Sequence, residues 1–217
     1  MVWLAIDTAS DKASYALKVG DKLYTREKDG VTSHAKTILT LIEELLVEAG
    51  VELKDVQGII VGRGPGSFTG LRVACAVVKG LALVHDIPIY PVSHLMLVTF
   101  MARKKYPHEA ILSVIDARMQ QVYWSYFPSN TWDAKEAVQC VSQIPSPQQS
   151  FVLAGYHFHE YQSLIPASWH IIAEMQLEIE ASAMIEMFEA QLLKPVSAEQ
   201  LEPVYVRDQV TQGAQNG

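Results

Sequence analysis

The sequence predicts an α/β protein of two related domains, each of the order β-β-β-α-β-α-β-α, with the second half a degenerate copy of the first. Three observations carry this. An apolar strand that ends in aspartate and small residues, then enters a hairpin, occurs twice, at Leu4–Ser10 and at Leu112–Ala117. Short apolar runs alternate with helical patterns in the order that right-handed crossovers lay onto a mixed sheet. Pro107 marks a break, giving expected domains of residues 1–106 and 107–211, with a polar, disordered tail at 212–217.

Val2 to Ile6 is an apolar strand leading into Asp7-Thr8-Ala9-Ser10. Ala13–Val19 and Lys22–Lys28 alternate as two strands joined at Gly20-Asp21, a hairpin signal. Thr32 or Ser33 caps a helix that Gly50 stops, with Ile38, Leu39, Leu41, Ile42, Leu45, Leu46 and Ala49 on a broad apolar face. Gly58–Val61 is a short strand buried on both faces. Residues 62–70, Gly-Arg-Gly-Pro-Gly-Ser-Phe-Thr-Gly, form a tight, shaped loop, and Ser67 or Thr69 caps the helix after it. Ile87–Val92 is the next strand, and Ser93 opens a third helix that runs to about Tyr106. Beyond Pro107, strands are expected at Ala110–Ile115, Gln121–Phe127, Val138–Val141, Phe151–Ala154 and His170–Ala173, then an amphipathic helix at Met175–Leu193.

The helix after the glycine-rich loop is the unusual element. From Leu71 to Val84 its only charges are Arg72 and Lys79. A helix on one sheet needs an apolar arc of about 100°, so a helix apolar nearly all round needs a second cover. Gly70, Ala74, Ala76 and Gly80 would admit a close partner helix, although periodicity does not decide which residues face the sheet.

Composition narrows the classes. Seventeen Lys and Arg against 24 Asp and Glu give a net charge of −7, a poor balance for direct nucleic-acid binding. Arg103-Lys104-Lys105, the one basic cluster, sits where cations favour a helix C-terminus. Two isolated cysteines, Cys75 and Cys140, fit a reduced, cytoplasmic protein. No signal peptide is read at the N-terminus, and no run approaches a membrane span in length.

Candidate chemistries are weak. The loop Arg63, Gly64, Gly66, Ser67 and Thr69 is an anion cradle in outline, but it matches neither the Walker nor the dinucleotide pattern, and a structural turn is preferred. The Ser67 spacing differs from a nucleophile elbow. His34 has Ile38, not histidine, one turn on, and His157 and His159 lack a third metal ligand. Asp7 and Asp116 fit strand-end carboxylates that accept backbone hydrogen bonds. Arg63, Arg118 and Arg207 read equally as structural ion pairs between domains or as partner contacts.

Four segments together resemble one family: Ala5-Ile6-Asp7-Thr8; residues 62–72; Ile115-Asp116-Ala117-Arg118 followed by Val122-Tyr123; and Pro203-Val204-Tyr205-Val206-Arg207. The chain is similar along these to the TsaB (YeaZ) family of tRNA threonylcarbamoyladenosine synthesis. The resemblance implies a two-domain actin-like ATPase (ASKHA) fold with no catalysis of its own. It implies a scaffold that stabilises TsaD, the threonylcarbamoyl transferase subunit, and allows assembly with the TsaE ATPase. ATP and metal would belong to those partners, tRNA would be reached only through the complex, and no membrane is involved.

In isolation the same surface would form a homodimer. On the first two helices the expected contacts are His34, Leu41, Leu45, Leu71, Ala74, Val78 and Leu81. Gln121 departs from the family, where Glu is frequent. The competing readings are a self-standing actin-like ATPase, a peptidase-like hydrolase, or a homodimeric module unrelated to tRNA. Missing hairpin glycines and missing ligand pairs argue against the first two.

Overall fold

A computed structural model describes residues 1–29 and 34–207. The proposed Thr32 or Ser33 cap and the tail at 212–217 lie outside the described residues.

Two five-stranded sheets are built to one plan. In the first, β1 (Val2–Asp7), β2 (Lys12–Val19) and β3 (Lys22–Asp29) form an antiparallel meander. Strands β4 (Gly58–Gly64) and β5 (Ile89–Ser93) add in parallel on the other side of β1, giving the order β3-β2-β1-β4-β5. The second sheet repeats this with β6 (Ala110–Asp116), β7 (Val122–Phe127), β8 (Ala137–Gln139), β9 (Phe151–Tyr156) and β10 (Ile171–Gln176), in the order β10-β9-β6-β7-β8. Asp7 and Asp116 end the two equivalent central strands. This is the duplicated actin-like α/β architecture that the paired aspartate motifs predict.

The second half is degenerate in its helices. The first sheet has α1 (His34–Ala49) between β3 and β4 and α2 (Phe68–His85) between β4 and β5. Their counterparts in the second half are short 3-10 segments at Val141–Gln143 and His159–Leu164. Helices α3 (His94–Lys105) and α4 (Ala181–Glu189) lie between the sheets and cross over: α3 packs on β6, β7 and β9, and α4 packs on β1 and β2. A core of Ala5, Ile60, Leu95, Val98, Ile111, Val152, Met184 and Ile185 therefore joins both sheets through these helices. A second core, with Leu4, Ile6, Leu17, Ile42, Ile59 and Val78, fills the space between the outer face of the first sheet and α1 and α2.

The predicted helix at Met175–Leu193 begins later, at Ala181, because Ile171–Gln176 alternates with period two and pairs with β9. The predicted strand at Val138–Val141 shrinks to Ala137–Gln139, and Val141 turns away into a 3-10 segment. Ser67 is the cap of α2, its Oγ accepting from the Gly70 N–H at 3.3 Å. Ser93 caps α3 in the same way through the Met96 N–H.

Arg103 is not a free surface cation. It is buried, donates to the Thr131 and Pro128 carbonyls at 2.7 and 2.6 Å, and stacks on Trp132.

Helix α2 corrects one expectation. Its 18 residues, with a mean hydropathy of 1.4, are long and apolar enough to cross a membrane by length and composition. One side, including Leu71, Ala74, Cys75 and Val78, is nevertheless packed on the chain's own sheet.

Candidate functional site

Two places gather the residues that the sequence singles out: the junction of the two sheets, and the outer face of α1 and α2. At the junction the glycine-rich loop closes over the end of β1. The Ser67 N–H donates to the Ala9 carbonyl at 2.7 Å, and Thr8 Oγ1 donates to the Gly70 carbonyl at 2.8 Å. A Cβ on Gly66 would stand 2.5 Å from the Ala9 oxygen, so the loop's glycines serve contact with the chain's own Asp7–Ser10 turn. Gly64 takes φ +114° before a cis Pro65. Of the suggested anion contacts, Ser67 thus has its backbone N–H and its side chain engaged internally, while Thr69 is exposed.

Beneath the loop lies a buried charge pair that the sequence reading missed. His94 Nε2 stands 2.8 Å from Asp7 Oδ1, and both side chains are almost fully buried. The approach lacks the alignment of a hydrogen bond, so attraction of charge holds it. His94 Nδ1 is 2.8 Å from the Pro65 carbonyl, which can only accept. With a carbonyl beside Nδ1 and a carboxylate beside Nε2, the protonated ring is the favoured form of His94.

Burial alone would push the Asp7 carboxyl up. The His94 charge, the Ser10 hydroxyl and the Ala9 N–H outweigh burial and hold it below its ordinary value. Burial likewise would push the His94 imidazole down, and Asp7, the Pro65 carbonyl and Glu136 hold it up. A Cβ on Gly62 would lie 2.4 Å from both charged atoms, so glycine there is what admits the pair. The only sequence signal was a histidine placed directly after a helix cap.

Asp116, the second strand-end aspartate, accepts from the Arg118 N–H at 2.7 Å and from the Tyr161 hydroxyl. Arg118 pairs with Asp116 at 3.1 Å and reaches across to Asp11 at 3.4 Å. Both strand-end carboxylates therefore accept backbone N–H groups of their own turns, as their sequence setting suggests. Arg63 pairs with Glu136, which also accepts from the Ser93 hydroxyl. Arg207 donates to the Ala117 carbonyl at 3.2 Å and to the Gln121 side-chain oxygen. All three arginines thus make contacts within the chain, and Gln121 meets Arg207 as a neutral acceptor.

These groups border a cleft of about 360 Å³ between the β1–β2 turn, the glycine-rich loop, the β6–β7 turn and residues 204–207. Tyr156 lines it, its hydroxyl accepting the Asp11 N–H at 3.1 Å and burial pushing its pKa up to about 12. Among the described residues no group of three or more His, Cys, Asp or Glu converges to hold a metal ion. His157 and His159 rings stand 6.4 Å apart, and His157 Nε2 is 3.5 Å from Asp11.

The α1–α2 face requires a correction. Leu45, Leu71, Ala74 and Val78 are at most 1% exposed, packed inside the chain's own fold, so they are not contacts for a second protein. Leu41 and Leu81 are half-buried, and the His34 side chain lies outside what is described. The reason is geometric. Leu45 lies on the apolar face of α1, which meets the sheet, and with period 3.6 Leu71, Ala74 and Val78 fall on the matching arc of α2, a choice invisible in a helix apolar all round.

The outward arc carries Leu39 (57% exposed) and Val47 (74%) on α1, and Ala76, Gly80, Leu83 (66%) and Val84 (68%) on α2. The chain's own C-terminal segment runs along part of α2: Val196–Glu199 border Ala82 and Leu83, Leu201 joins the core shared with α2, and Tyr205 stacks on Phe68. Large apolar side chains remain in water.

Comparison with known proteins places this architecture. Residues 22–145 match the family model described as TsaD: tRNA N6-adenosine threonylcarbamoyltransferase. The tRNA threonylcarbamoyladenosine biosynthesis protein TsaB of Haemophilus influenzae is 30% identical, covering 96% of this chain and 94% of its own length. That of Escherichia coli is 29% identical over 95% of each. The solved structure of YeaZ from Pseudomonas aeruginosa superposes with a TM-score of 0.79 at 31% identity, covering 94% of this chain and 99% of that one.

Proposed function

This chain belongs to the TsaB (YeaZ) family of tRNA threonylcarbamoyladenosine biosynthesis proteins, and from that premise we propose that it is the non-catalytic scaffold of the modification, docking the TsaD transferase subunit on the outward face of α1 and α2. The observation that carries the reading is that face itself. Leu39 and Val47 on α1 and Leu83 and Val84 on α2 are large apolar side chains left in water on two helices that touch, and exposed apolar surface on a folded protein marks interaction sites. Gly80 adds no side chain to it, and a Cβ there would meet nothing within 4 Å, so a facing helix can approach the backbone closely. In this reading the cytoplasmic complex also admits the TsaE ATPase, its ATP and metal belong to the partner subunits, and the chain alone pairs with a second copy through the same helices. The self-engaged carboxylates and loop amides at the sheet junction support a structural rather than catalytic role for that region.

The test uses exposed positions. Leu83→Glu and Val47→Glu should each weaken binding to the purified transferase subunit by about 100-fold or more, the scale of a hot-spot loss, with the melting temperature unchanged. Light scattering should find both variants monomeric. Undiminished binding by both would refute the surface assignment. Substituting Ala74 or Val78 would not test it, since a charge there would break the core.

A further inference from the structure

A second feature lies at the N-terminal end of α2, where the helix meets the mouth of the cleft. Phe68 and Tyr205 stack with ring centroids 5.1 Å apart, 46% and 39% exposed. The Arg72 guanidinium lies 3.9 Å from the Phe68 ring centroid, and its Nε–H donates to the Tyr205 hydroxyl at 2.8 Å. Two residues past Tyr205, the Arg207 Nη1 approaches Met119 Sδ at 3.7 Å. Met119 is 82% exposed and sits in a turn whose residues Arg118, Met119 and Gln120 have φ of 61°, 55° and 59°. Three successive left-handed non-glycine residues cost free energy, and what they achieve here is to present an apolar side chain to water.

Neither guanidinium of this rim is neutralised by a carboxylate among the described residues. Arg26, Arg63 and Arg118 all pair with carboxylates, and Arg103 is buried on carbonyl groups. Arg72 and Arg207 have no carboxylate partner among the described residues, on a chain of net charge −7. Arg72 spends only its Nε–H within the chain, so both its Nη groups remain available for a planar, two-point contact. Stacking on Phe68 fixes the guanidinium in advance, which lowers the entropic cost of binding. Arginine, tyrosine, phenylalanine and methionine are also the residues enriched at interface centres.

We propose that the rim of Phe68, Arg72, Met119, Tyr205 and Arg207 is a docking edge for a carboxylate-bearing stretch of the same transferase subunit that covers α1 and α2. The inference rests on the functional reading above. Continuity joins the two surfaces, because Arg72 stands on the same outward stripe of α2 as Ala76, Gly80 and Leu83. Apolar contact supplies the centre of the interface, and the two guanidiniums fix its register and choose an acidic partner edge.

Isothermal titration of the purified transferase subunit into the full chain tests this. Arg72→Glu and Arg207→Glu should each weaken binding at least about 30-fold, the loss expected when one side of a charged interface contact is reversed. Arg72→Lys should fall between wild type and Arg72→Glu, because charge survives while the planar fork does not. Raising NaCl from about 50 to about 500 mM should weaken the wild type more than the Arg72→Glu variant, in which salt also screens the new repulsion.

Arg207 also ties residues 117 and 121, so the exposed Arg72 keeps the test sound if the Arg207 variant misfolds. Loss of binding in Leu83→Glu with no loss in Arg72→Glu would overturn this inference and leave the functional reading standing. No loss in any of them would overturn both. Tighter binding by the reversed charges would also overturn the acidic edge.

Discussion

Replacing Gly70 with alanine is expected to cost more than about 4 kcal/mol, lowering the melting temperature by about 10 °C or more, or preventing folding. A Cβ at that position would stand 1.8 Å from the Thr8 carbonyl oxygen, 2.7 Å from its carbon and 3.1 Å from Ala9 Cα. Every one of these atoms is backbone, so no side chain can rotate away. Neither partner can retreat. Thr8 follows β1, the central strand held between β2 and β4, and Gly70 is fixed in the first turn of α2 by the Ser67 cap and by Thr8 Oγ1 on its own carbonyl.

Gly80 in the same helix supplies the control. A Cβ there meets nothing within 4 Å, so Gly80→Ala should follow helix propensity and stabilise by about 1 kcal/mol, raising the melting temperature by about 3 °C. Thermal melts of both variants, at a protein concentration where light scattering detects no self-association, check the pair. A mild Gly70→Ala phenotype would mean that the loop does not sit on β1 in solution.

The contrast also marks what the sequence could carry. Four glycines in nine residues announced close backbone approach, and the helix after them was legible from its cap. What the glycines approach was not legible, because Thr8 and Ala9 are distant in sequence and reach the loop only through sheet pairing. The duplication was readable from two aspartate motifs because each closes a central strand at the same place in its sheet. The crossing of α3 and α4 onto each other's sheets left no trace, since a buried apolar residue does not record which sheet buries it.

Helix α2 failed for a related reason. A helix apolar all round does not reveal which arc meets the sheet, and the expected partner contacts Leu71, Ala74 and Val78 prove to face in. The strand expected at His170–Ala173 is present but longer, and the C-terminal helix expected from Met175 starts later because Met175 and Gln176, the end of a six-residue strand, fit either period.

The Asp7–His94 pair should make the protein's stability fall as pH rises above neutrality, a dependence that its removal should abolish. The His94 imidazole is held above its ordinary 6.5 in the folded chain. Its share of the stability is therefore fully present below pH 6.5 and is lost as pH climbs through the raised folded value. The Asp7 carboxyl is held below its ordinary 3.8, so its share is present above that value and is lost as pH falls through the lowered folded one. Between about pH 4 and 6.5 both shares are complete.

Cutting one partner leaves the other charge buried and uncompensated, so Asp7→Asn and His94→Gln should each cost about 3–5 kcal/mol near pH 6. The Asp7→Asn, His94→Gln double variant should lose less than the sum of the singles, because neither charge is then stranded. Urea unfolding from pH 4.5 to 9 reads all of this: the wild type should weaken along the alkaline limb, and the double variant should run flatter there. Strict additivity, or parallel alkaline limbs in wild type and double variant, would show that the two groups do not act as a charged pair. The pair holds the Pro65 carbonyl as well as Asp7. Its loss should therefore loosen the glycine-rich loop and the start of α2, where amide exchange should quicken before the rest of the sheet opens.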